Sequence, residues 1–132
     1  MPNTWVPGTL VNRDEFIRRL GDRFPAIAAE IDDLDRGLLH LEMAVFARAT
    51  AAAIDGRERS KVNNFFAFAE EILVTADSAV ENAIYVSYLE NIFLCDEPLR
   101  IEARNWLPLR LANALVELEK HFERMAQSSR NT

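Results

Sequence analysis

Apolar residues recur at helical spacing through most of the chain, and no long two-residue alternation replaces that pattern. The clearest run is Val62, Phe65, Phe66, Ala69, Ile72 and Leu73. Its i, i+3, i+4, i+7 order predicts a helix over about 58–75. Leu38, Leu41, Val45, Ala49 and Ala52 form a second stripe, widened by Leu39, Met43, Phe46 and Ala53. They predict a helix over about 36–55 that ends at Gly56, with alanines small enough to let a neighbouring helix approach closely. The segment 79–94 is apolar on most sides of a helical wheel, the pattern of a helix in the middle of a bundle.

Punctuation supports the remaining elements. Asn12 with Glu15 reads as the N-terminal cap of a first helix bearing Phe16, Ile17 and Leu20, and Gly21 as its stop. Pro25 opens a short second helix with Ile27, Ala28 and Ile31 inward. Ser78 and Glu81 match the S-x-x-E capping box at the head of the helix over 79–94. Pro98 and Pro108 open the last two helices, the second with Leu109, Leu111, Leu115, Leu118 and Phe122 on its inner faces. The expected fold is all-α: one domain over 1–132, a compact bundle of six to seven antiparallel helices around the one at about 79–94. HEAT-like stacking of helix pairs is a variant of that arrangement. Residues 1–11 read as an irregular N-terminal arm and 127–132 as a frayed tail.

Composition narrows the function classes. Fifteen Lys and Arg against twenty-one Asp and Glu leave a net charge of −6. That balance argues against nucleic acid and against a polybasic hold on a membrane, and suits a basic protein partner. No apolar run reaches the roughly 20 residues of a membrane span, and the opening residues lack a basic-then-apolar leader, so a cytoplasmic location is expected. Cys95 is the single cysteine, which excludes an internal disulfide and fits a small buried hydrophobe.

Catalytic signatures are missing from the sequence. There is no G-x-S-x-G, no H-E-x-x-H and no glycine-rich phosphate loop. Neither His40 nor His121 follows a Glu by three residues, as a di-metal bundle requires. No enzyme activity, metal or cofactor is therefore expected. The polar residues that stand out are His40, Glu42, Glu70, Asn82, Ser87 and Glu90, a candidate buried network or groove beside the helix at 79–94. His40 and Glu42 are two apart and point to opposite sides of a helix.

The segment Phe66-Ala-Phe-Ala-Glu-Glu-Ile-Leu, and the later Val80, Asn82, Val86, Ser87, Tyr88, Leu89 and Glu90, carry a resemblance. They are similar to a family of small bacterial helical proteins with an F-x-F-x-E-x-x-L helix followed by V-x-N-x-x-x-V-S-[FY]-L-E. The His40-x-Glu42 stretch and the opening Phe16…Phe24-Pro25 are similar too. Such proteins resemble immunity proteins, which bind and silence a cognate toxin. The resemblance implies a stoichiometric protein-binding module whose partner is a cognate toxin, and the acidic charge suits a basic toxin domain. The alternatives are a homodimeric structural or regulatory scaffold, and a small-ligand or enzymatic domain with a pocket beside the helix at 79–94.

Overall fold

A computed structural model describes residues 9–130 of the chain. The first eight residues of the expected arm and the last two of the expected tail lie outside the described residues. The fold is all-α, with seven helices among the described residues packed into one compact body. They are α1 (Arg13–Arg23), α2 (Pro25–Ala28), α3 (Leu39–Asp55), α4 (Arg59–Thr75), α5 (78–93), α6 (Pro98–Ala103) and α7 (Leu109–Arg130). Among the described residues the only β pairing is an isolated bridge between Val11 and Ala76.

Local chemistry explains most boundaries. Asn12 caps α1, its side chain accepting the Glu15 N–H at 2.9 Å. Gly21 does not end that helix, which runs on to Arg23. The α5 cap is Asp77 rather than Ser78: Asp77 Oδ1 accepts the Val80 N–H at 2.9 Å, and Ser78 becomes the first helical residue. Pro25 and Pro98 occupy the first helical positions of α2 and α6, where a missing N–H costs nothing.

The core is phenylalanine-rich. Phe24, Phe46, Phe65 and Phe68 bring α1, α3 and α4 together edge to face, with Phe24–Phe65 at 4.9 Å and Phe46–Phe68 at 5.5 Å. Phe68 is buried in this cluster. Tyr88 from α5 stacks on Phe46 at 4.8 Å and closes the cluster. The most extensive helix contact joins α3 to α5.

Helix α5 is built in three pieces: Ser78–Ala83 is α-helical, Ile84–Leu89 is a π-helix, and Glu90–Phe93 is α-helical again. Val80, Ala83, Ile84, Tyr88, Leu89, Ile92 and Phe93 are all buried. At about 100° per residue, an unbroken α-helix would turn Leu89, Ile92 and Phe93 away from Val80 and Ala83. The wider π turn takes up an extra residue and rotates the second half back toward the core. The helix is therefore not apolar all round: Glu81, Asn82, Val86 and Asn91 are exposed on its other side.

Several predicted inner positions lie outside the core. Leu38, Leu41, Leu109 and Phe122 are exposed. Leu38 is the N-cap of α3 and Leu109 the first residue of α7.

Candidate functional site

The predicted polar residues separate into structural ties and one seam. Glu42 is fully buried on α3. Arg13 from α1 donates Nε to its Oε1 at 2.8 Å and Nη2 to its Oε2. The Gly37 N–H adds a third bond at 3.0 Å. Burial alone would raise the Glu42 carboxyl strongly, yet the bonds from Arg13 and Gly37 outweigh it and hold the group below the usual carboxylate range. Gly37 has φ +90°, a left-handed conformation that favours glycine, so the chain entering α3 turns on that residue.

Glu70 on α4 caps α7. Its carboxylate accepts the Leu111 N–H at 2.9 Å and the Arg110 N–H at 3.1 Å, satisfying amides that the helix itself cannot bond. Asn82 is exposed on α5 and Glu90 half-buried. The structure does not bring either of them to the other predicted residues through a hydrogen bond.

His40 and Ser87 do meet. His40 Nδ1 lies 2.6 Å from Ser87 Oγ, a hydrogen bond in which either atom can donate. Ser87 sits within the π segment of α5 and is buried, while His40 is exposed at the head of α3. Asn91 Nδ2 donates to the Ser87 carbonyl at 2.7 Å. π turns concentrate at functional positions in helices, and this one places the hydroxyl on the α3 side of the seam.

From Asn91 the seam opens into a cleft of about 500 Å³. Ala44, Ala47 and Ala51 on α3 form its floor, and Arg48 and Arg100 its sides. Asp55 holds Arg100 at 3.0 Å, and that pairing raises the guanidinium pKa further.

Behind the seam the core is polar at one point. Thr50 Oγ1 and the fully buried Tyr88 hydroxyl share a 3.0 Å bond, and Thr50 also donates to the Phe46 carbonyl at 3.1 Å. Burial raises the Tyr88 hydroxyl well above its ordinary pKa, so it stays a neutral phenol.

A histidine on a serine hydroxyl resembles an activated nucleophile, but that chemistry needs a third group to orient the imidazole. Glu42, the nearest carboxylate in sequence, points to the opposite side of α3 and is committed to Arg13. Among the described residues no three His, Cys, Asp or Glu side chains gather as metal ligands, and no helix is long and apolar enough to cross a membrane.

Sequence reasoning missed four participants. Arg13, Asn91 and the Thr50–Tyr88 pair carry as much of the polar architecture as the residues singled out. Thr50 had a legible signal, since it lies among the inward positions of α3 and a buried hydroxyl requires a partner. Arg13 had none, because its partner lies 29 residues away. Glu15, read only as a capping residue, is buried and accepts bonds from Arg18 at 2.7 Å and Arg19 at 2.7 Å.

No curated protein and no solved structure matches the chain. A family model described as a domain of unknown function (DUF7674) matches residues 17–123, from the middle of α1 to the second half of α7. The chain belongs to that family, and the match takes in α2 through α6, the His40–Ser87 seam and the cleft below it.

Proposed function

We propose that the protein is a stoichiometric binding module, immunity-like in action, that neutralises a basic toxin domain by docking the segment 31–41 onto it. The observation that carries this reading is a set of exposed leucines on the loop before α3 and the first turn of that helix. Leu34 is 84% exposed, and Leu38 and Leu41 follow at 53% and 45%. Leucines that exposed, grouped within eight residues of chain, mark an interaction surface rather than ordinary surface scatter.

The loop is held in shape without a partner. Ile31 is buried as an anchor, and Asp32 Oδ1 accepts the N–H groups of Leu34 and Asp35, each at 3.0 Å. Gly37 is tied to Glu42. Ordering entropy is therefore already met when a partner arrives. Glu30, Asp32, Asp33 and Asp35 surround the leucines, with Arg36 the single cation in that stretch. An apolar centre with an acidic rim complements an apolar socket with a basic rim, and the charge speeds encounter.

The test is site-specific photo-crosslinking from position 34 in the cell of origin. The expected product is one predominant basic protein, toxic when expressed alone and silenced by this chain at a one-to-one ratio. Crosslinks no more specific than those from an exposed control position on α7 would overturn the reading. So would a captured protein whose toxicity the Leu34→Asp variant relieves as well as the unmodified chain does.

A further inference from the structure

A second cleft, of about 680 Å³, lies between α2, α3 and α4. That volume falls within the roughly 300–1,000 Å³ typical of small-molecule sites. Its floor is Phe24, Ile27 and Phe65 facing Ala49, Ala52 and Ala53. The alanines leave it open, since a larger apolar side chain at any of those positions would occupy the space over the phenylalanines. The rim is charged. Glu58 and Lys61 are loosely paired with each other at 3.4 Å. Arg48 forms no ion pair or side-chain hydrogen bond among the described residues, although it borders both this cleft and the one beside α5. Glu30 also stands at the rim without a cation.

We infer that this cleft binds an amphiphile with an apolar chain and a single carboxylate, the chain over Phe24 and Phe65 and the carboxylate on Arg48. An apolar floor desolvates the chain. An unpaired guanidinium is the group best shaped to take a carboxylate through two parallel bonds. A second carboxylate on the chain would have to lose its water over the apolar floor, so a monocarboxylate fits and a dicarboxylate does not. The inference does not rest on the leucines, although Glu30 stands beside both features, and the probe and readout here are separate from the crosslinking test.

Decanoate serves as the probe, titrated below its micelle-forming range into the full chain and followed by amide chemical shifts. Saturable shifts confined to α2, the second half of α3 and the first half of α4 are expected. Arg48→Ala weakens binding about tenfold, the loss of one charge-assisted interaction, and Arg48→Lys restores part of it. Ala52→Phe fills the cleft and abolishes binding; both positions are exposed, so the circular dichroism stays unchanged. Decylammonium and the ten-carbon dicarboxylate bind at least several-fold more weakly. The inference is overturned by shifts that never saturate, by decylammonium binding as well as decanoate, or by Ala52→Phe binding like the unmodified chain.

Discussion

Arg13 and Glu42 meet through two parallel hydrogen bonds, joining the first turn of α1 to the first turns of α3 across a carboxylate with no solvent exposure. The same carboxylate holds Gly37, so one side chain fixes both a helix contact and the approach of the leucine loop.

Removing that carboxylate leaves the Gly37 amide without its acceptor and the partly exposed Arg13 guanidinium with Asp14 alone. Glu42→Ala is expected to cost about 1–3 kcal/mol, the scale of losing charge-assisted hydrogen bonds at a buried group. Urea unfolding at neutral pH checks it, with an unchanged m-value as the sign that stability alone has moved. Glu42→Gln should recover only part of the loss, because it keeps the Gly37 bond and forfeits the charge.

Acid should weaken the fold through carboxylates that are paired in it. Bonding to Arg18, and then to Arg19, holds the Glu15 carboxyl at about 2 against an ordinary 4.5, despite burial that pushes the other way. A folded-state pKa below the unfolded one means the contribution is complete above pH 4.5 and is lost as the pH falls toward 2. Glu42 and Glu119, the latter bonded by Arg104, are shifted downward too and steepen the same limb. Unfolding midpoints measured across that range should drop, and Glu15→Gln should flatten the drop. A midpoint that does not change with pH there would contradict the pairing.

The Thr50–Tyr88 bond invites a double-mutant cycle. Thr50→Val leaves the Tyr88 hydroxyl buried without a partner and should cost about 1–3 kcal/mol. Tyr88→Phe in the same chain should return most of that loss, since both polar groups are then gone. Additive losses would mean that the two hydroxyls do not act as a pair.

Glu70 should behave as a helix cap. Glu70→Ala is expected to destabilise by about 1 kcal/mol, and amide exchange should quicken at Arg110 and Leu111 ahead of the rest of α7.

Much of the fold was legible because the stripes of α3 and α4 obey a single period along their length. The polar residues were harder. Glu42 and Glu70 were recognisable as unusual, but their partners lie 29 and about 40 residues away, and local spacing carries no trace of such contacts. Helix α5 misled for another reason. Its buried positions change phase at Ile84–Leu89, and a wheel drawn with one period spreads them around the circle. The His40–Ser87 contact was out of reach on the same ground, since the side Ser87 faces depends on where that phase changes. Leu38 and Leu41 matched the stripe of α3 and yet stand in solvent, because periodicity reports a face and not whether anything covers it.

The bridge between Val11 and Ala76 has a consequence for folding. Val11 donates to the Thr75 carbonyl at 2.7 Å and accepts from the Asp77 N–H at 2.8 Å, and Asp77 is the residue that caps α5. These bonds close α1 through α4 into a loop of roughly 65 residues and tie its knot at the start of the next helix. The four helices inside the loop are thereby coupled to α5 from the moment it closes. Unfolding should therefore proceed as one transition, with α1 protected from exchange nearly as well as the helices at the centre.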